Sequence, residues 1–379
     1  MVTVKKAVTK KDFRQFVDFP NILYADEPLF VPATYSDDLQ DWDREKNPAF
    51  EYCEAEAFLA YKDGRLVGRI GAILSHKAND KWNTKRVRFS QVDFIDDAEV
   101  SEALFGAVEE WARQKGCDQV HGPLGFCDMD REGMLVEGFD CSNQFFTYYN
   151  YPYYNVHLER LGYKKDVDWI EYKVFVPSED SPIRSKLSRV SEYVLRKYNL
   201  HTPQIKTRFE YGPYVNKVFD LVNEAYSPLY SVVPLTPKQI KKYTSKFKPF
   251  INPDYSCFVL DKDENLIAFA VAAPSISEPL RRSRGRFLPF GWVGILKALC
   301  RNNAIDMLLV AVKPEYQGRG VNAVLLDHFY TSCLKNGVEY AETGPMLETN
   351  YKVLSQWKSF DKIQNKRRRC YIKDLDVRD

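Results

Sequence analysis

A chain of 379 residues, 45% hydrophobic and 28% charged, is long enough for two ordinary globular domains and has the composition of a folded, water-soluble protein. A formal net charge of +2 provides no global attraction for nucleic acid, and the aromatic residues are scattered rather than grouped into a base-stacking platform. Eight cysteines without a C-x-x-C pair predict reduced thiols, with no disulfide framework and no metal site.

In chain order, the N-terminus (MVTVKKAVTKKDF) lacks a hydrophobic signal core, so a cytoplasmic chain is expected, at most peripheral to the inner membrane. Residues 3–8 read as an edge strand and 10–18 as a helix capped at Thr9. The next stretch, rich in Pro, Asp and aromatics, reads as an ordered loop with short helices. Residues 58–61 and 66–74, joined through Asp63-Gly64, predict a hairpin, because Asp-Gly favours the tight turn that matches strand twist. Residues 87–94 predict another strand, Asp97 caps a helix ending at Lys115-Gly116, and 119–123 reads as a strand entering a turn.

The same order returns later. Residues 257–260 and 266–273 predict a second hairpin, 307–312 a central strand, 321–336 a helix and 338–342 the next strand. Both series then reach Gly-Pro, at 122–123 and 344–345, and close with a helix and a strand, at 158–176 and 354–375. This is the pattern of an internal duplication with its join near 177–205. The copies differ at one place. After the first central strand comes Asp96-Asp97 with Glu99 following, three carboxylates that suit a helix N-terminus and repel a phosphate. After the second comes Gln317-Gly318-Arg319-Gly320, a glycine turn with a guanidinium opening into a helix, which is an anion cradle.

The segment KPEYQGRGVN resembles motif A of the GNAT acyltransferases, whose pattern is Gln/Arg-x-x-Gly-x-Gly/Ala; Gln317 and Gly320 match it, and Asn322 stands where glycine or alanine is usual. Across nearly the whole chain, LYADEPLFVPATYSDDL, GRLVGRIGAI, HGPLGF, YPYYNVHLERLGYKKDVD, NEAY and PLTP look like a family of bacterial proteins with two GNAT-like halves, in whose neighbourhood lie ceramide synthase-like N-acyltransferases. The resemblance implies a mixed α/β (α+β) fold of two GNAT-like domains in tandem, at 1–178 and 179–379, the first without a phosphate-binding turn. It also implies acyl-CoA, or an acyl carrier protein, as co-substrate and donor, and an amine as acceptor.

Carried over residue by residue, the resemblance places coenzyme A pyrophosphate at Gln317, Gly318, Arg319, Gly320, Val321 and Asn322, and the thioester carbonyl at backbone N–H groups from Val310 to Val312. Asp306 stands where some members carry a basic glutamate, and Glu342 on the next strand is a second candidate base. The family's general-acid tyrosine, in Asn-x-x-Ala-x-x-x-Tyr, is replaced by Trp357, which leaves Tyr351 as the substitute. An indole cannot donate a phenolic proton, so a catalytically silent binding protein is the competing class. Arg281, Arg282, Arg284 and Arg286 run into an apolar stretch, and residues 281–300 read as an inter-domain or dimer-packing helix, as a contact with an anionic membrane, or as the wall of an acyl-chain tunnel. Lys366 to Arg369 reads as a solvated charge run, and the aromatic segment 126–154 as the lining of a cleft.

Overall fold

The computed structural model describes residues 1–376 and divides into two compact units. Unit 1 comprises residues 1–169, 277–292 and the chain from Lys366 on; unit 2 comprises 170–276 and 293–365. The sequence reading divides the chain at 178/179, whereas the units change inside two long strands. Long-range strand pairing sets that division, and local composition carries no trace of it.

Unit 1 begins with β1 (Val2–Lys6) and α1 (Lys10–Leu23), where Thr9 and Asp12 cap each other's backbone N–H groups in a capping box. The helix runs past Pro20 to Leu23, beyond the expected stop. After the short α2 (Tyr35–Asp41), the hairpin β2 (Cys53–Lys62) and β3 (Arg65–Ser75) turns through Asp63 and Gly64, both at positive φ. Then follow α3 (His76–Trp82), β4 (Arg86–Phe94), α4 (Ala98–Gln114), β5 (Gln119–Gly122), β6 (Met134–Glu137), α5 (Tyr153–Arg160) and β7 (Lys164–Phe175), whose second half enters unit 2. β1 to β4 pair antiparallel in order, and β4 pairs parallel with β5 over Arg86–Arg88 alone. Phe89, Phe94, Leu104, Phe105 and Val108 form one core beneath α4, and Phe16, Trp42, Ala57 and Ile73 a second beneath α1.

Unit 2 carries α6 (Pro182–Lys197), α7 (Gly212–Ala225) and α8 (Pro237–Phe247) before its hairpin β8 (Ser256–Leu260) and β9 (Leu266–Pro274). The helix α9 (Ser277–Ser283) belongs to unit 1, and α10 (Gly291–Cys300) leads back. The unit is completed by β10 (Ala304–Val312), α11 (Val321–Asn336), β11 (Tyr340–Glu342), β12 (Met346–Leu347), α12 (Tyr351–Ser355) and β13 (Lys362–Asp374), whose second half lies in unit 1 against β5 and β6. β10 pairs antiparallel with β9 and parallel with β11, and β11 pairs antiparallel with β7. Ala270, Ile305, Val324, Leu325 and Phe329 bury the sheet against α11. Hairpin, strand, helix, strand thus occurs in both units, as the duplication predicts.

Candidate functional site

β10 pairs with β11 only from Ala304 to Asp306, opposite Tyr340 to Glu342, and its register with β9 shifts between Met307 and Leu309. Past Asp306, therefore, one edge of the central strand has no strand beside it among the described residues. Lys313 N–H is bonded to Ile267 O at 2.8 Å, which makes Leu309 and Ala311 the residues that face β9. Val310 and Val312 then turn both N–H and C=O to the other edge, since an antiparallel residue sends both groups the same way. Two side chains meet those carbonyls: Tyr226 hydroxyl donates to Val310 O at 2.9 Å, and Gln317 Nε2 donates to Val312 O at 3.1 Å. Met307 to Val310 are only partly buried, an unusual state for a central strand. The edge is only partly covered.

The equivalent strand of unit 1 is closed. Val87 to Phe94 of β4 are all buried. Tyr148 hydroxyl accepts from Gln91 N–H at 3.3 Å, Tyr154 hydroxyl accepts from Phe94 N–H at 3.0 Å, and Tyr153 hydroxyl donates to Phe94 O. The aromatic segment read as a cleft lining thus fills the edge of its own unit. Beside it, Tyr24 donates to Asp93, which also takes Arg69 Nε at 2.7 Å, and Arg131 grips Asp38; a cavity of about 30 Å³ lined by Asp38, Arg69, Asp93 and Arg131 has room for a water or two. Burial raises Asp93 above the ordinary carboxylate range, with Arg69 working against it.

The turn after β10 is built for backbone exposure. Gly318 and Gly320 lie at φ +75° and +83°, where a side chain is strained, and Gly320 caps α11 without a side-chain hydrogen bond. The first N–H groups of α11, at Val321 and Asn322, face outward by helix geometry. Arg319 stands over the rings of Tyr198 and Tyr316 at 5.7 and 5.5 Å, and Lys352 Nζ reaches Gln317 Oε1 at 3.2 Å. Two cations therefore flank the turn. The large residue at 322 turns its amide toward Gln356 Oε1, at 3.5 Å.

Asp306 and Glu342 stand opposite each other at the last pair before the strands separate, so both side chains project from one face of the sheet. Asp306 is buried, and Asn365 Nδ2 approaches Glu342 Oε2 at 3.4 Å. Tyr351 lies apart from this constellation in character: it opens α12 and is 75% exposed. Trp357 is buried, with its indole N–H on Met346 sulfur at 3.4 Å. Tyr226, which sequence reasoning missed, carries the hydroxyl found at the open strand; its signal was the NEAY segment at the end of α7.

Two other clusters in unit 1 were not legible from spacing. Ser101 Oγ lies 2.8 Å from His157 Nδ1, and His157 Nε2 lies 2.9 Å from Asp96 Oδ1. Ser101 is fully buried, donates to Ala98 O and accepts from Arg160, so this Ser-His-Asp contact ties α4 to α5 and offers no accessible nucleophile. Asp97 caps α4, and Glu99 accepts Val2 N–H, so the acidic turn is spent on structure. His121, Asp166 and Cys370 bring potential metal-ligand atoms within 4.8 Å. Burial, then Arg88 and Arg86, hold His121 well below its ordinary pKa, and the two guanidiniums oppose a cation there.

Residues 215–351 match the model of the acetyltransferase (GNAT) family, which places the open strand and the glycine turn inside the matched region. Among solved structures, the chain is similar over its whole length to the whole of a tandem GNAT protein from the clavulanic acid biosynthesis pathway, with a TM-score of 0.56 at 11% identity. This is a tandem GNAT-fold protein. A GCN5-related N-acetyltransferase from Sphaerobacter thermophilus is similar at 12% identity and TM-score 0.52, over 100% of this chain and 96% of its own. By sequence, the tandem GNAT chain is 26% identical over 378 residues to protein YghO of Escherichia coli K12, covering 98% of this chain and 95% of that protein. It is also 26% identical over 292 residues to the bacterial ceramide synthase of Caulobacter vibrioides, covering 76% and 74%. The family match and the relative named a bacterial ceramide synthase support N-acyltransferase chemistry in general. Among the described residues of this GNAT-fold chain, no helix is long and apolar enough to cross a membrane.

Proposed function

We propose that unit 2 transfers an acyl group from acyl-coenzyme A, or from the same phosphopantetheine arm on a carrier protein, to the primary amine of a long-chain lipid. The observation that carries this reading is the strand-free, partly covered edge of β10 running directly into the Gln317–Gly320 turn. In unit 1 the same edge is closed by tyrosines and the same turn is acidic, so the donor is assigned to unit 2. The turn's N–H groups and Arg319 hold the pyrophosphate, and Val310 and Val312 offer strand-like hydrogen bonds to the arm. Val310 N–H polarises the thioester carbonyl and stabilises the oxyanion formed on attack. Asp306 or Glu342 takes the proton the amine sheds.

The acceptor class rests on two supports. One is the relative named a bacterial ceramide synthase. The other is an apolar surface in unit 1, where Leu288 and Phe290 are 78% and 77% exposed and Trp292 is half-exposed, a few residues along the chain from Arg284. Such an apolar surface suits contact with a membrane, where a lipid amine resides. The test is coenzyme A release from palmitoyl-coenzyme A in the presence of dodecylamine. Amine-dependent release, reduced about 100-fold in Asp306→Asn or Glu342→Gln with donor binding retained, is expected. Donor binding without release in the wild type favours the silent binding protein, the reading to which the buried Trp357 points.

A further inference from the structure

We propose that the outward face of α6 docks an acidic carrier protein whose phosphopantetheine arm delivers the acyl group, an inference that rests on the donor site proposed for unit 2. Along α6, Lys186, Arg189, Tyr193, Arg196 and Lys197 are all exposed. At 100° per residue these five positions fall within an arc of about 100° and extend along about 16 Å of helix. The other side of the helix is fixed on α11. Ser188 Oγ donates to Asp327 at 2.8 Å, Arg184 reaches Thr331 Oγ1 at 3.1 Å, and Val194 is buried. Packing therefore holds the basic stripe outward. Among the described residues no carboxylate pairs with Lys186, Arg189 or Lys197. Arg196 has Glu192 at 3.6 Å, an exposed pair that leaves its guanidinium in water.

The stripe lies beside the donor turn. A Cβ built on Gly320 would stand 3.2 Å from Val194 and 3.8 Å from Val190, so the turn rests on the flank of α6 next to the stripe. At the end of the helix, Lys197 and Arg319 both stand over the Tyr198 ring, at 5.4 and 5.7 Å, which joins the cations of α6 to the guanidinium of the turn. A carrier protein holds its arm through a serine phosphodiester. With that phosphate at the turn, the surface around the serine lies over α6. Four cations spread over about 16 Å are more than the one terminal phosphate of coenzyme A can engage. They are complementary to a row of carboxylates, and such complementarity steers the encounter and fixes its register. An anionic membrane fits this face less well. Its exposed positions offer no large apolar residue beyond Tyr193, and a helix that lies in a membrane interface needs an apolar face to bury.

The experiment reads binding, so its outcome is independent of the acceptor amine. It compares wild type with Lys186→Glu/Arg189→Glu, two outward positions apart from the turn. The probes are a palmitoylated acyl carrier protein, followed by fluorescence anisotropy, and coenzyme A, followed by titration calorimetry. The expected result is a carrier-protein affinity lower by about 30-fold with coenzyme A affinity within about threefold of wild type. Wild-type affinity for the carrier protein is also expected to fall by about tenfold on going from low to high salt. Unchanged carrier-protein affinity in the variant overturns the proposal. Equal losses for both ligands overturn it too, since the two residues then only support the helix. A variant that keeps the carrier protein but no longer floats with phosphatidylglycerol vesicles assigns the stripe to a membrane instead. A wild type that binds coenzyme A and no carrier protein overturns the docking role while leaving the donor site standing; a wild type that binds neither removes both.

Discussion

Asp168 sits almost wholly buried on β7 with Arg369 Nε at 2.8 Å, Arg367 at 3.3 Å and Lys165 at 3.1 Å. Burial pushes its carboxyl up, but the hydrogen bonds from Arg369 and Lys165 outweigh that and hold it below the ordinary carboxylate range. A depressed carboxyl stabilises the fold above its unfolded pKa, about 3.9, and the contribution is lost as pH falls through the folded value. Asp168→Asn, which takes the carboxylate from Arg369 while Arg367 keeps Glu137, is expected to cost about 3 kcal/mol at pH 7 and to flatten the decline in acid, as measured by urea unfolding at pH 7 and below pH 4. The same residues correct the sequence reading of Lys366 to Arg369 as solvated: Lys366 and Arg368 are buried, and Arg368 reaches Tyr148 O and Thr147 Oγ1. A run of like charges in one segment carries no sign of a partner strand 199 residues away. Gln317 and the two glycines were legible for the opposite reason, because a positive-φ turn entering a helix is written in adjacent residues.

At the scale of elements, the hairpins, the Asp97-capped helix and the strand–turn–helix from Ala304 to Asn336 were readable from period and caps. The aromatic segment was not, because nothing local tells a cleft lining from a plug. Its tyrosines satisfy N–H groups of β4, which closes unit 1 to a ligand that β10 of unit 2 leaves room for. The basic run before α10 was also only half legible. Arg281 and Arg282 pair with Glu278 and Arg286 pairs with Asp18, so fewer cations are available than the sequence displays. The apolar residues after it are the stronger feature. Leu288→Ser with Phe290→Ser is expected to lower binding to vesicles of phosphatidylglycerol and phosphatidylcholine by about tenfold in a flotation assay, as each large apolar side chain contributes roughly 1.5–3 kcal/mol when fully buried. Binding equal to wild type assigns the patch another role.

At the scale of the whole molecule, two units with one order of elements have taken different courses: one closes its strand edge and helix start with internal hydrogen bonds, the other keeps a partly exposed strand edge, with side chains on two of its carbonyls, and a helix start capped by glycine alone. The order was legible as a repeat, but the composition of the units was not, because β7 and β13 each begin in one unit and end in the other. That asymmetry is the central claim, and donor-dependent thermal stability tests it most directly. Palmitoyl-coenzyme A at a hundredfold excess over its Kd stabilises a protein that binds it by about 2.7 kcal/mol through mass action. The expected result is a rise in Tm of several degrees for the wild type, abolished by Arg319→Glu in unit 2 and preserved in Arg131→Gln of unit 1 when each variant is compared with its own ligand-free Tm. A shift that survives Arg319→Glu, or no shift with any acyl-coenzyme A, contradicts the assignment of the donor to the β10 edge and its turn.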